Sequence, residues 1–375
     1  MRQTDVLIIG GGILGCAATY FLSKRGIAVT LVEKGELAAE ATGATTAGLT
    51  LQNRAPERYP FYCAAAERWP DLGQELGADL GFTRCGSLTV ANTPDELTRL
   101  RTKVQPLQSL GLEIEWLTPA EAKEFAPWLT EELAGVSFCP TDGFVEPEAP
   151  ARAFAAAAER CGATLLPQHP IKALRRDGNR GFRAITPQGE ISAVRVVDAA
   201  GAWAGQIAGM LGVELPISLD PLQAMATEPR PPWLDKVVLH SSGKLTLKQN
   251  EDGRVIIGGG WQGDGDLEGG PKRLRPESET ANPQLAYQAV PHLAELKIDR
   301  SWIGLEGRSP DRFPFFGEVD AVPGFYMLAC VHGGFCLSTL LGDQLAELIV
   351  DGRTSFPMEK YTCRDFLANI GRKRN

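Results

Sequence analysis

Three glycines and one carboxylate near the start of the chain have the spacing of a dinucleotide site. Gly10, Gly12 and Gly15 fit G-x-G-x-x-G, and Glu33 follows them. In such a pattern the first glycine permits a tight turn. The second lets the backbone approach a pyrophosphate, and the third lets a helix pack closely on a strand. A carboxylate roughly 20 residues further on accepts hydrogen bonds from a ribose. The expected chemistry at this end is capture of an adenine dinucleotide. A second dense group lies far along the chain. Residues 302–317 hold Glu306, Arg308, Asp311 and Arg312, and His332-Gly333-Gly334-Phe335 follows. Neither stretch contributes to a Ser/His/Asp or Cys/His arrangement, so no protein nucleophile is expected.

The elements that position these residues are legible from their flanks. Residues 5–9 are an apolar run that reads as a buried parallel strand. Residues 13–25 follow a helical pattern, Gly26 stands where a glycine ends a helix, and 27–32 give a second apolar strand closed by Glu33. The helix N-terminus offers unpaired N–H groups to phosphates. Residues 38–48, rich in alanine, glycine and threonine, form a loop whose small side chains let a ligand approach the backbone. Residues 56–76 read as helix. Strand 87–90 is followed by Thr93-Pro94-Asp95-Glu96, a capping box opening a helix to about 110. Thr118-Pro119-Ala120-Glu121 repeats the device, marking an insertion that begins a second domain. Helix is expected over 146–161. Paired strands at 182–185 and 191–197 follow, the latter running into Asp198-Ala199-Ala200-Gly201-Ala202-Trp203. Residues 216–298 read as β-rich, with a hairpin at Asn250-Glu251-Asp252-Gly253. Residues 302–317 read as loop. Strand 324–330 leads through His332–Phe335 into a helix whose leucines recur at helical spacing up to Gly352. A second glycine turn into a helix N-terminus makes sense for a cofactor with two ends. A reduced isoalloxazine carries negative charge near N1 and C2=O, and a helix N-terminus stabilises an anion.

Composition bounds the alternatives. At 375 residues the chain has room for two or three domains, and its 43% apolar and 22% charged content is ordinary for a globular protein. A net charge of −8 leaves no basic footprint for nucleic acid, Arg372-Lys373-Arg374 reading as a solvated tail. No stretch approaches the roughly 20 apolar residues of a membrane span. A first strand starting at residue 5 leaves no room for a signal peptide. Eight scattered cysteines without a CxxC pair suit reduced thiols in a cytoplasm. Four dispersed histidines show no ligand spacing, so no metal is expected.

In this order the motifs resemble the FAD-dependent D-amino-acid-oxidase-like family, and they span nearly the whole chain. The resemblance implies an α/β, Rossmann-type FAD-binding domain over 1–80, 144–213 and 300–375. A discontinuous β-rich substrate-binding domain takes 81–143 and 214–299. It implies FAD, held without a covalent bond by Gly10, Gly12, Ile13, Leu14, Gly15, Glu33, Lys34, Thr42, Ala44, Thr45, Thr46, Ile171, Ala200, Gly201, Trp203, Gly304, His332, Gly333, Gly334 and Phe335. Cys336 reads as buried structure rather than a flavin linkage. Members with a G-L-R-P pattern hold the substrate carboxylate on its arginine. Here Glu306 stands at that position, and Arg308 is the expected substitute. Gly333-Gly334-Phe335 looks like the β subunits of heteromeric sarcosine, hydroxyproline and opine-type oxidoreductases. The implied reaction is oxidation of the C–N bond of an amino acid, a secondary amine such as sarcosine, a proline derivative or an opine. Hydride passes to flavin N5. His332 is either a proton acceptor or a packing histidine, and Glu306 pairs with the substrate ammonium or with Arg308. A partner subunit with a second redox centre is expected. The alternatives are a self-sufficient oxidase that makes peroxide, an electron-relay subunit and a nicotinamide-dependent dehydrogenase.

Overall fold

Alternation along the first strand, Arg2–Ile9, sends Val6 and Ile8 to one face and Leu7 and Ile9 to the other, all buried. A strand apolar on both faces belongs inside a parallel sheet, and it pairs in parallel with Val29–Val32 and Gly189–Asp198. The computed structural model describes residues 2–178 and 181–362. Its first sheet runs in the order Phe315–Glu318, Phe325–Ala329, Gly189–Asp198, Arg2–Ile9, Val29–Val32, Thr164–Leu166. Phe182–Thr186 and Ala173–Arg176 join as an antiparallel annex. Helices Ile13–Lys24, Tyr59–Ala66, Ala149–Arg160 and Gly334–Asp351 share a core with the Val6 face. The Leu7 face packs on the annex and on helix Ala204–Gly209.

Register gives this sheet a common working edge. Ile9 lies opposite Val32 and Asp198, and Asp198 opposite Met327. The glycine turn after Ile9, the small-residue run after Asp198 and the turn after Ala329 therefore leave the sheet side by side, at the carboxyl ends of parallel strands. Ligands of open α/β sheets bind at such an edge.

The second sheet runs Ile298–Arg308, Ser218–Thr227, Val255–Asp264, Thr246–Gln249, Val237–His240, Ser87–Ala91, Gly135–Cys139, Glu115–Leu117. Val237–His240 pairs in parallel with Ser87–Ala91, and the other neighbours on this path are antiparallel. Its own core gathers Leu88, Val90, Val238, Leu247, Val255 and Ile257. Both expected capping boxes are formed, on Thr93 with Glu96 and on Thr118 with Glu121.

Four expectations are corrected. Residues 302–308 are not loop: Ile298–Arg308 is an eleven-residue strand paired with Ser218–Thr227. Gly304 and Gly307 interrupt its apolar pattern because other backbone crosses there. A Cβ on Gly307 would lie 2.8 Å from Ala202 Cα. The same strand carries the second sheet past residue 300, where the sequence reading begins the last FAD-binding segment. The expected helix over 56–76 is broken into Pro56–Arg58, Tyr59–Ala66 and Trp69–Leu76, with Pro60 and Pro70 each in the first turn of a new helix. The β-rich stretch 216–298 also contains helix Pro276–Ala289, whose few large apolar residues conceal it. Among the described residues no helix is long and apolar enough to cross a membrane. Cys363 and Arg372-Lys373-Arg374 lie outside the described residues.

Candidate active site

Two connected cavities open along the working edge. The first, of about 470 Å³, is lined by Gly10, Gly12, Glu33, Lys34, Thr42, Ile171, Ala200, Gly201 and Trp203 among others. Gly10 has φ +115°, and a Cβ there would lie 2.4 Å from Ala199 O. A Cβ on Gly15 would lie 1.9 Å from Gly10 O, so Gly15 serves the fit of helix to turn and does not line either cavity. Gly12 caps helix Ile13–Lys24 without a side chain, and a Cβ there would fill the space 3.2 Å from Thr42 Oγ1. The Ile13 N–H donates to that hydroxyl at 3.1 Å.

Glu33 accepts from the Gly11 N–H at 2.7 Å and from the Gly35 N–H at 2.8 Å, one bond on each carboxylate oxygen. Each oxygen keeps a lone pair for a ribose hydroxyl. Lys34 Nζ stands 3.0 Å above the Trp203 ring, and burial pushes its pKa down. A strap from the second sheet, residues 264–272, covers this cavity. The Trp203 indole donates to Leu267 O at 2.9 Å, and Lys272 pairs with Glu40 at 2.8 Å.

The second cavity, of about 340 Å³, shares Gly12, Ala41, Thr42, Ala199, Gly201, Ala202 and Leu305 with the first. Ile13, Leu14, Ala44, Thr45, Thr46, Gly304, Glu306, His332, Gly333, Gly334 and Phe335 complete much of its wall. The loop 38–48 reaches it through the short helix Ala41–Ala44. A Cβ on Gly304 would lie 2.7 Å from Ala44 Cβ, and Trp302 donates to Ala44 O at 2.9 Å. His332 Nδ1 lies 3.1 Å from Glu306 Oε1. Gly333, φ +69°, caps helix Gly334–Asp351.

Arg308 is placed otherwise than expected. Its guanidinium is paired with Asp220 of the neighbouring strand, and it lines neither cavity. A largely buried aspartate beside it requires a countercharge. Cys336 does line the second cavity, but it is 1% exposed and burial pushes its thiol up to about 12, so it offers no thiolate.

Two residues absent from the sequence reading also meet at this wall. Arg54 lines the cavity and lies over the Tyr62 ring at 4.1 Å, while the Tyr62 hydroxyl donates to His332 O. Neither belongs to a local pattern that could have revealed it, since the His332-Gly333 turn they both adjoin is nearly three hundred residues away in the chain. Beneath them is a buried polar network. Asp142 accepts from the Leu51 N–H at 2.8 Å and from Ser87 Oγ at 2.6 Å. Gln52 donates to Ser87 at 2.6 Å and accepts from Ser137 at 2.7 Å. Burial raises the Asp142 carboxyl to about 6 against the pull of Ser87, Leu51 and Arg54.

The donor set fits FAD. A glycine-lined cradle with a helix N-terminus and a carboxylate faces one cavity, and a second helix N-terminus faces the cavity beyond it. The model of the FAD dependent oxidoreductase family, DAO, matches residues 5–348, and the chain belongs to that family: it is an FAD-dependent oxidoreductase. It is similar to glycine oxidase of Geobacillus kaustophilus, 27% identical over 379 residues, covering 99% of this chain and 99% of that protein. It is similar to an opine oxidase subunit of Agrobacterium tumefaciens, 27% identical, covering 98% of this chain and 99% of that protein. Among solved structures, L-proline dehydrogenase from P. horikoshii superposes with a TM-score of 0.88 at 28% identity, over 99% of this chain and 98% of that one.

Proposed function

We propose that this flavoenzyme oxidises the C–N bond of an amino acid carrying a secondary amine, such as sarcosine, a proline derivative or an opine. The first sheet and its helices hold non-covalent FAD, and the second sheet walls the substrate. The observation that carries the proposal is the His332–Glu306 pair, 3.1 Å apart, in a cavity continuous with the dinucleotide cradle. When bound, FAD accepts the two electrons and the hydrogen that leave the Cα–H bond as the imine forms.

The chain's own task is to present the amine unprotonated, because a protonated nitrogen has no lone pair to form the imine. Glu306 engages His332 Nδ1 and so holds the tautomer in which Nε2 is the acceptor, ready to take a proton from the ammonium. Glu306 is also the carboxylate that draws the cationic amine to this wall. The names of two relatives support this reading, being those of enzymes of opines and L-proline, which are secondary amines, while the name glycine oxidase supports an amino acid without deciding the class of amine. That the opine enzyme is named as one subunit of an oxidase supports a partner subunit, to which the reduced flavin would pass its electrons. The scattered cysteines support a reducing compartment such as the cytoplasm.

The test is anaerobic titration of the holoenzyme with glycine, sarcosine, proline, N-methyl amino acids and opines, read as loss of flavin absorbance. A secondary amino acid should bleach it fastest. Glu306→Gln should slow the bleaching by about a hundredfold and shift its pH dependence. Failure of the whole panel to bleach the flavin overturns the proposal. Release of flavin on acid precipitation checks the non-covalent part. Rapid reoxidation of the reduced chain by air-saturated buffer, with stoichiometric peroxide, removes the partner subunit.

A further inference from the structure

We infer that Tyr62 is a positioning residue: its hydroxyl holds the backbone of His332 and so aims the imidazole at the second cavity. This rests on reading His332 as the proton acceptor of an amino-acid oxidation and names what keeps it in place. The need for such a holder is plain from the turn itself. Strand Phe325–Ala329 ends before His332 and helix Gly334–Asp351 begins after it, so neither ladder of backbone bonds fixes the residues between. Cys330, at φ +57°, and Gly333, at φ +69°, stand on either side of Val331-His332. The turn's own bond, from the Gly334 N–H to Val331 O at 2.8 Å, bypasses His332.

The His332 carbonyl accepts from the Tyr62 hydroxyl instead, and among the described residues no other donor is bonded to that oxygen. The imidazole of the same residue lies 3.1 Å from Glu306. His332 is therefore pinned at two points, its backbone by helix Tyr59–Ala66 and its ring by strand Ile298–Arg308 of the second sheet. Burial pushes the Tyr62 pKa up, so the phenol keeps the proton it donates. The hydroxyl reaches the turn only because the next residue lacks a side chain: a Cβ on Gly333 would lie 2.7 Å from Tyr62 Oη.

This bond is not what packs the two helices together. Trp69 donates to Cys336 O at 3.0 Å, Thr339 donates to Ala65 O at 3.0 Å, and Arg68 donates to Thr339 O. Those three bonds join the segments inside the helix Gly334–Asp351. The Tyr62 bond alone among the four reaches past its N-terminus to a residue of the cavity wall. A phenylalanine would fill the same space, so the oxygen is a separable device whose effect falls on His332. Reacting groups misplaced by a fraction of an ångström lose rate steeply, which is the scale of motion the carbonyl bond prevents.

The test is Tyr62→Phe, which removes one oxygen and keeps the ring. The holoenzyme is prepared with isotopically labelled histidine and read by nitrogen NMR, the His332 signal being assigned by its absence in His332→Asn. In the wild type that signal should show Nδ1 protonated and Nε2 bare. In Tyr62→Phe it should shift towards the tautomer mixture of a free imidazole, with the flavin-to-protein ratio unchanged. Gly333→Ala, whose Cβ crowds the same hydroxyl, should move the signal in the same direction. With the amino acid that bleaches the flavin fastest, Tyr62→Phe should slow bleaching at saturation by about tenfold and leave the half-saturating concentration within about twofold. Three results overturn the inference: a His332 signal unchanged in Tyr62→Phe, a raised half-saturating concentration with the saturating rate intact, or loss of FAD from the variant. The last would assign the phenol to the cofactor. The amino-acid reading fails on a different result, a wild-type flavin that no amino acid reduces, and the histidine signal is read without turnover.

Discussion

The two glycine turns of this protein face adjoining cavities and are built on opposite plans. At Gly10 and Gly15 the glycines are demanded by backbone: a Cβ on Gly10 meets Ala199 O at 2.4 Å, and one on Gly15 meets Gly10 O at 1.9 Å. At Gly333 the obstacles are side chains, Tyr62 Oη at 2.7 Å and Arg54 Nη1 at 2.9 Å. Backbone packed on backbone has nowhere to go, whereas the end of an arginine can swing aside. The first turn is therefore fixed by the sheet edge. The second is set by the side chains that happen to surround it.

The sharpest way to break this contrast is Gly15→Val. It should cost more than the ~3 kcal/mol typical of overpacking and give a chain without flavin. Flavin-to-protein ratio and a thermal melt measure it. A stable flavoprotein would show the first turn to be as yielding as the second.

Asp142→Ala comes next, because it strands the Leu51 N–H and Ser87 hydroxyl that support the Arg54 segment. We expect a loss of about 2–3 kcal/mol in urea unfolding. Asp142→Asn keeps a donor and an acceptor and separates packing from charge. The carboxyl titrates at about 6 when folded and near 3.9 when unfolded, so the folded state holds its proton more tightly. The stability this proton contributes is present in full below about pH 4 and is lost as the pH rises through 6. At 1.36 kcal/mol per pKa unit the loss is roughly 3 kcal/mol. Asp142→Asn should remove that fall, seen as a smaller difference between unfolding midpoints at pH 4.5 and 7.

Gly333→Ala should have the smallest effect, about 1–2 kcal/mol for an alanine at φ +69°. FAD should be retained, read as an unchanged flavin-to-protein ratio. Equal loss of flavin in this variant and in Gly15→Val would erase the distinction between the turns.

What the sequence made legible follows the same division. Gly10, Gly12 and Gly15 act through backbone geometry and Glu33 through bonds to nearby backbone, all at short range, so their spacing alone marked the turn at the end of the first strand. His332-Gly333-Gly334 was readable for the same reason, as strand, turn and helix in sequence. Arg54, Tyr62 and the Asp142 network were not, because each takes its meaning from a contact across the fold. Arg308 misled for a related reason. A guanidinium near the expected position looked available, and only the neighbouring strand shows Asp220 claiming it. Strand Ile298–Arg308 was hidden by glycines needed for close approach to Ala44 and Ala202.

The alignment of Ile9 with Asp198, and of Asp198 with Met327, also sets a timetable. Translation delivers the cradle's glycines first, yet the carbonyl wall at Ala199 emerges nearly two hundred residues later. Strand Phe325–Ala329 and helix Gly334–Asp351 arrive later still. Pairings this distant in sequence are slow to form, and unpaired strand edges invite aggregation while they wait. Cofactor capture is therefore a late event in the life of the nascent chain, and a ribosome stalled before residue 325 carries a dinucleotide motif with no site to put it in.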